Sequence, residues 1–367
     1  MGHFQAIIIF LNTSIFIKKI MKAHILITNK ETFPICRDRL IWGVGIEDIP
    51  EHFNELVDMK NSRKPYLKML VDMLGIRKGD LVFLYERRVG FHGVYKASSD
   101  LFWDTSDIVD TSNGNIIGKQ WPLRICLECV NYFPNPVPED LLFSTPKYEN
   151  DFWIWAYRKV QGPRGCNTIT NEAAESLIEL LVKVNNIDQK YANFNPYQKP
   201  QQTENIFLPL NLETKRVELE DILRGYLIGI LDKNSDDGLY NIFGPMEDIE
   251  WSANNVPYHI TQKNIDILCF HKNFKYTGLP FRYKYSVIEL KKDISKPIDV
   301  TQLVRYSQWA AIRLANGELE MIQPILIAAG FQDDTIRKAK ESDFNQRGIK
   351  LFQYEVISNN KIKFKEL

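Results

Sequence analysis

Three side chains in two neighbouring apolar segments could hold and use a divalent cation. Asp266 lies between Ile265 and Ile267, and Glu289 and Lys291 are two residues apart in the second segment. If both segments are strands, alternation places Glu289 and Lys291 on one face. Paired carboxylates can hold a hard cation such as Mg²⁺, and an ammonium can stabilise charge that develops on a phosphoryl group. These residues therefore predict metal-dependent phosphodiester hydrolysis, although a solvated strand carrying Glu and Lys is the alternative.

The elements that would position these residues form a regular series. Patterns in the second half predict, in order, a helix at 217–231, strands at 263–270 and 285–292, a helix at 300–314 capped by Asp299, an apolar run at 323–330, a helix at 333–340 and a strand at 349–357. The order α-β-β-α-β-α-β predicts a mixed sheet flanked by helices.

Four segments of this series resemble the PD-(D/E)xK nuclease superfamily, and within it the NucS-like branch. They read NIDILCF, VIELKKD, QLVRYSQWA and PILIAAGFQDDTIRKAK followed by GIKLFQYEV. The resemblance implies a restriction-endonuclease-like α/β domain with Asp266 and Glu289 as metal ligands. It further implies this catalytic set: Asp266, Glu289, Lys291, Gln302 and Glu220, with Arg305 and Tyr306 on the same helix as Gln302. Glu218 and Asp221 are alternatives to Glu220 if the register slips.

The segment between the two strands, 271–284, is longer than the short hairpin expected in that branch. It carries basic residues interleaved with aromatic ones and has no acid; the basic residues are Lys272, Lys275, Arg282 and Lys284. Basic charge with stacking rings is typical of a DNA contact. A solvated hairpin tip whose rings pack on the domain is the alternative.

The first half predicts a small α+β barrel. Short strands are expected at 24–28, 80–86, 91–97 and 123–130, with helices at 64–74 and 172–184. The segments HILITNKETFPICRDRLIWGVG, IRKGDLVFLYE, FHGVYKASSDLFWD and WPLRICLECV resemble EVE-like modules of the PUA superfold. That resemblance implies an aromatic-lined pocket for a modified or flipped base.

A base pocket needs a flat apolar wall and a few hydrogen bonds to the base edge. Trp42, Trp103 and Trp121 are candidates for the wall, and Asn29, near the end of the first strand, is a candidate for the edge contact. Tryptophans of such folds also pack in the core, which is the alternative for each of the three.

Composition sets the boundaries of these predictions. A segment rich in Asn, Gln and Pro separates the halves, so we expect an extension at 1–20, a base-reading module at 21–184, a linker at 185–205 and a nuclease domain at 206–367. The balance of 46 basic and 46 acidic residues excludes a strongly basic DNA-binding chain. Five scattered cysteines favour a reducing, cytoplasmic location, and the apolar run at 7–17 is too short to span a membrane.

Together these features predict an endonuclease that uses Mg²⁺, or Mn²⁺ in its place, and cuts double-stranded DNA carrying a modified base. A modification-dependent restriction enzyme is the first interpretation. A NucS-like nuclease for mismatched or branched DNA is the second, and a non-catalytic binder of modified nucleic acid is the third. Cutting both strands with one site per chain favours a homodimer.

Overall fold

The structure is a computed structural model of the 367-residue chain. It describes residues 22–46, 49–58, 64–108, 121–157, 165–185, 193–204, 206–231, 239–258, 263–272 and 283–367. The expected extension at 1–20 lies outside the described residues. So does part of the expected linker.

The first sheet has seven strands and curls into a half-barrel. Its strands are β1 (Ala23–Thr28), β2 (Ile41–Val44), β3 (Leu81–Glu86), β4 (Gly90–Ala97), β5 (Phe102–Trp103), β6 (Leu123–Asn131) and β7 (Cys166–Ile169). They are ordered β2-β6-β4-β3-β1-β7, with β5 beside β6, and β1 runs parallel to β3. The helices of this half are α1 (Thr32–Arg39), α2 (Phe53–Asp58), α3 (Lys64–Leu74), α4 (Glu139–Leu142), α5 (Pro146–Asp151), α6 (Trp153–Tyr157) and α7 (Asn171–Asn185).

The second sheet has six strands in the order β13-β12-β11-β10-β9-β8. They are β8 (Ile249–Tyr258), β9 (Lys263–Lys272), β10 (Tyr283–Ser295), β11 (Ile322–Phe331), β12 (Lys350–Ser358) and β13 (Lys361–Glu366). The helices of this half are α8 (Glu220–Ile230), α9 (Leu239–Phe243), α10 (Pro297–Leu314) and α11 (Asp333–Lys340). Strands β10, β11 and β12 are parallel and the other pairs antiparallel, so the sheet is mixed, as expected.

Both faces of the second sheet are covered, which explains why its central strands read as apolar runs. In β10, Ile288 and Leu290 pack into a cluster with α8, whereas Val287 packs into the cluster that contains Leu303 of α10. Polar residues in the middle of β10 therefore lie between two packed layers. Glu289, between Ile288 and Leu290, is only 2% exposed.

Most of the predicted elements are confirmed, and the differences have local causes. The prediction of Asp299 as the cap of α10 was wrong in position, because the helix begins at Pro297 and Asp299 lies in its first turn. Its carboxylate accepts a 2.8 Å hydrogen bond from the backbone N–H of Lys296 and so still caps the helix. Strand β8 and the terminal strand β13 were not predicted.

The two halves make direct contact through α3 and α8. The described part of the expected linker lies against the first half, since the backbone N–H of Asn195 donates to Asp38 O at 2.8 Å and that of Tyr197 to Arg39 O at 2.7 Å. The boundaries of the two domains stay a prediction. No helix in the described ranges is long and apolar enough to cross a membrane.

Candidate functional site

Four of the five predicted catalytic residues are linked by side-chain contacts between β10, α10 and α8. Lys291 Nζ lies 2.5 Å from Glu289 Oε1, which also accepts a 2.8 Å hydrogen bond from Gln302 Nε2. Glu220, at the start of α8, lies 3.7 Å from the same ammonium. Strand alternation brings Glu289 and Lys291 together, and the packing of α10 and α8 on the sheet supplies the other two.

Asp266 reaches the same cluster from the neighbouring strand. Its Oδ2 accepts a 2.8 Å hydrogen bond from the backbone N–H of Leu290, the residue between Glu289 and Lys291. Its Oδ1 accepts a 2.9 Å hydrogen bond from Arg224 Nη1 on α8. Asp266 therefore lies beside the carboxylate and ammonium of β10, and both of its oxygens are held.

Burial disfavours the charged form of the carboxylates in this cluster. Burial, together with the nearby charge of Asp266, raises the pKa of Glu289 to about 8. Burial also raises the pKa of Glu220, with Asp266 contributing in the same direction and Lys291 opposing it. The carboxylates in turn raise the pKa of Lys291 and outweigh its burial, so its ammonium stays protonated.

The chemistry of these residues fits a hard divalent cation. Glu289 Oε2 is buried and has no hydrogen-bond partner among the described residues, which leaves one oxygen of the ionised form available. Among the described residues no group of three or more His, Cys, Asp or Glu side chains could hold a metal ion. Mg²⁺ is commonly held by one or two carboxylates and several waters, so Asp266 and Glu289 would suffice.

Two further predicted residues lie on α10 with different exposures. Tyr306 is buried, its hydroxyl accepts a 2.9 Å hydrogen bond from Gln302 Nε2, and its ring packs against Tyr258 with centroids 4.8 Å apart. Arg305 is exposed. Tyr306 thus orients Gln302 from behind, whereas Arg305 is available at the surface.

The predicted basic segment is described only at its two ends. Lys272 Nζ lies 2.6 Å from Glu250 Oε1, an ion pair that satisfies its charge. Lys284 is largely buried, and burial together with the nearby Arg347 lowers its pKa. Lys275 and Arg282 lie outside the described residues. The described ends therefore do not form an exposed cluster of free ammonium groups.

In the first half, a cavity of about 160 Å³ brings together three of the four predicted base-reading residues. Its lining comprises Ile27, Thr28, Asn29, Thr32, Cys36, Trp42, Gly43, Arg87 and Trp121. Trp42 is held by a 3.2 Å hydrogen bond from its Nε1 to Ile27 O and is 2% exposed, so it is both a wall of the cavity and part of the core.

The side-chain oxygen of Asn29 fixes this residue at the N-terminus of α1. Oδ1 accepts hydrogen bonds from the backbone N–H of Thr32 at 2.8 Å and from the Thr32 hydroxyl at 2.9 Å. This arrangement uses the acceptor of the amide and leaves its NH₂ group to donate toward the cavity. Asn29 could therefore offer a hydrogen bond to an acceptor on a planar ligand.

The fourth predicted residue, Trp103, does not line this cavity. It packs edge-on against Phe53 with ring centroids 5.6 Å apart, and its Nε1 donates to Glu51 O at 3.4 Å. It is 3% exposed and belongs to the core. The structure thus separates Trp103 from Trp42 and Trp121.

Sequence reasoning missed two polar residues beside Asp266. Arg224 lies in helix α8, which is apolar around it after the acidic first turn, and Asn255 Oδ1 accepts a 2.5 Å hydrogen bond from its Nη1. The signal for Arg224 was a single cation within the apolar run LRGYLIGIL. The sequence around Asn255 carries no comparable signal, because its contact depends on the pairing of β8 with β9.

Comparison with known proteins identifies no family. No protein-family model matches the chain, and neither does any curated protein. Solved structures that match include Rpa0253 from Rhodopseudomonas palustris (12% identity, TM-score 0.28, 44% of this chain and 92% of that chain); a hypothetical protein from Leishmania major (12%, 0.30, 45% and 96%); and human THYN1 in complex with DNA containing 5-methylcytosine (11%, 0.25, 44% and 97%). TM-scores this low do not establish a shared fold.

Proposed function

We propose that this protein is a Mg²⁺-dependent endodeoxyribonuclease whose catalytic groups are Asp266, Glu289 and Lys291. The observation that carries the proposal is the junction of β9, β10 and α10. There a buried Glu289, one oxygen of which has no partner in the part of the chain that the structure describes, contacts Lys291 and Gln302, and Asp266 accepts from the backbone N–H of Leu290. A buried carboxylate with an unsatisfied oxygen is costly, and a bound cation would offset that cost.

Each residue has a distinct role in the proposed reaction. A bound Mg²⁺ would supply a Lewis acid and a water of lowered pKa. Asp266 and Glu289 would hold the cation through their carboxylates. Lys291 keeps its proton, so it would stabilise negative charge that develops on the scissile phosphate. Gln302 donates to Glu289 Oε1 and thereby leaves Oε2 free for the cation.

The cavity of the first half suits the recognition of a single planar group. Trp42 and Trp121 would provide stacking surfaces, and the Asn29 amide would donate to the edge of the base. Extrusion of a base from a duplex costs a few kcal/mol, which stacking and edge hydrogen bonds would have to return. We therefore propose that this cavity binds a modified base and directs cleavage to DNA that carries it.

The test is digestion of matched DNA duplexes that differ only in cytosine or adenine modification, with Mg²⁺ and with EDTA. The wild-type chain is compared with Glu289→Gln and Lys291→Met, and with the adjacent Lys292→Met as a matched control. The proposal predicts Mg²⁺-dependent cutting of one modified duplex by the wild type and by the Lys292 variant only. If the Glu289 and Lys291 variants cut the modified duplex as fast as the wild type does, the catalytic assignment is refuted.

Mismatched and branched duplexes belong in the same panel, because they distinguish a repair nuclease from a restriction enzyme. Preference for these over modified DNA would overturn the base-reading proposal and keep the nuclease. Binding of modified DNA without cutting would overturn the nuclease and keep the base-binding cavity. Sedimentation of the chain bound to DNA would test the predicted homodimer.

A further inference from the structure

Arg224 is a buried cation shared by two carboxylates. It is 6% exposed, forms an ion pair with Asp221 one turn earlier on α8, and forms a second with Asp266 of β9, with Nη1 2.9 Å from Oδ1. A guanidinium presents its donors in a rigid fork, so it can hold two acceptors in a fixed arrangement. Its removal would leave two largely buried carboxylates without their shared cation.

Arg224 also decides the orientation of Asp266. One oxygen of Asp266 is held by the backbone N–H of Leu290 at 2.8 Å and the other by Arg224 at 2.9 Å. With both oxygens held, the carboxylate cannot rotate about its Cβ–Cγ bond without breaking a hydrogen bond. Loss of a group that holds a metal-ligating side chain in this way typically lowers metal affinity about 10–100-fold.

The position of Arg224 is itself fixed by a bend in β8. Asn255 lies between the ladder pairs Asn254–Ile267 and Val256–Ile265, and so stands opposite Asp266. Its φ of 49° is in the left-handed region, which Asn tolerates better than most residues. Its Oδ1 accepts a 2.5 Å hydrogen bond from Arg224 Nη1, and this bond ties the guanidinium to the sheet.

The first half of the chain contacts this bend directly. The Asn254 side-chain amide donates a buried 2.6 Å hydrogen bond to Asp72 Oδ1 on α3. Asn254 is next to Asn255, so the contact with α3 restrains the backbone that presents Asn255 to Arg224. Two sets of hydrogen bonds, Asp72 with Asn254 and Asn255 with Arg224 and Asp266, are thus joined through the backbone between Asn254 and Asn255.

We propose that Arg224 is a positioning residue for Asp266, and that the first half of the chain sets metal affinity through the contact between Asp72 and Asn254. This inference rests on the proposed metal site. It differs from a purely structural role of Arg224, because the carboxylate that Arg224 orients is the one assigned to the cation. The base-reading half would then support the catalytic half even in the absence of DNA.

The test is calorimetric titration of the full chain with Mn²⁺, without DNA, together with thermal unfolding in EDTA. Arg224→Met is expected to weaken Mn²⁺ binding roughly 10–100-fold, the usual effect of losing a group that orients a ligand. Arg224→Lys should recover part of the loss. The matched control is Arg337→Met, because Arg337 forms an exposed ion pair with Asp334 at the same helical spacing.

Asp72→Ala and Asp72→Asn test the contact that the first half makes with Asn254. They remain informative if Arg224→Met does not fold. Weaker Mn²⁺ binding by Asp72→Ala, with recovery in Asp72→Asn, supports the inference. Wild-type affinity in a folded Arg224→Met variant, or in Asp72→Ala, overturns it while the proposed nuclease survives. Absence of Mn²⁺ binding by the wild-type chain overturns both.

Discussion

Gln302 Nε2 donates a 2.8 Å hydrogen bond to Glu289 Oε1, the same oxygen that Lys291 contacts, whereas no described residue bonds to Glu289 Oε2. The two donors therefore act on one side of the carboxylate. Because an isolated buried carboxylate prefers its protonated form, these donors favour ionisation while the unpartnered oxygen opposes it. The ionisation of Glu289 therefore depends on each of these neighbours.

Replacement of Lys291 by Met should remove cleavage while leaving DNA binding. The ammonium is the only group of the proposed trio that can stabilise developing negative charge, and removal of one such group costs about 10²–10³-fold in rate. Lys292→Met is the control, since Lys292 is adjacent but contacts Asp293 instead. Single-turnover cleavage and filter binding measure the two properties, and a rate within a few-fold of wild type would remove Lys291 from the mechanism.

The contribution of Glu289 to the stability of the metal-free protein should fall as pH rises toward 8. The pKa of Glu289 is about 8 in the folded protein and near 4.5 in the unfolded chain. Between these values the unfolded chain has lost a proton that the folded protein keeps, so the unfolded state gains stability as pH rises. Glu289→Gln cannot ionise and should lack this dependence. Wild-type and variant unfolding in EDTA should therefore diverge above pH 4.5 and become parallel above 8.

The control for this comparison is Glu355→Gln, whose carboxylate is exposed and paired with Lys215. The pKa of Glu355 is lowered by that lysine, so its effect has the opposite sign and lies at lower pH. His92 and His271, with pKa values depressed by burial to about 4 and about 3, affect both proteins alike and cancel. Parallel curves for wild type and Glu289→Gln from pH 5 to 8 would contradict the buried-carboxylate interpretation.

Asn29→Asp should abolish preference for modified DNA without unfolding α1. Aspartate keeps the oxygen that accepts from Thr32, so this bond to the first residue of α1 survives, but it replaces the NH₂ donor with an acceptor. A base edge that accepts a hydrogen bond would then lose its partner. Competition binding with modified and plain duplexes measures the preference, and exposed Asn135→Asp controls for the added charge. An unchanged preference in Asn29→Asp would exclude this amide from recognition.

The sequence predicted the part of the site that depends on local rules. Glu289 and Lys291 share a face because strand side chains alternate, and Asp266 lies beside them because the two strands form a hairpin with a fixed register. Gln302 was placed by resemblance, and the packing of α10 on β10 brings it to 2.8 Å from Glu289. These relationships need only the hairpin and the helix that follows it.

Tertiary relationships were not predictable in the same way. Asp72 and Asn254 are 182 residues apart, and no pattern in either segment encodes their contact. Trp103 and Trp42 look alike in the sequence, yet β5 directs Trp103 into the core and β2 places Trp42 at the cavity. Strand β13, KIKFKE, alternates charged and apolar residues. Its many charged residues are nevertheless the reason that this edge strand was not predicted.

Arg77 joins the two halves at the end of α8. Its guanidinium donates to Gly229 O at 2.7 Å and also to Leu74 O, so it satisfies helix-terminal carbonyls on both sides of the contact. Arg77→Met should lower the free energy of unfolding by about 2 kcal/mol, as expected for lost charged hydrogen bonds. The adjacent, exposed Lys78→Met should change it by less than about 0.5 kcal/mol. Urea unfolding followed by circular dichroism measures both, and equal stabilities of the two variants would mean that the Arg77 contact contributes nothing to the docking of α3 on α8.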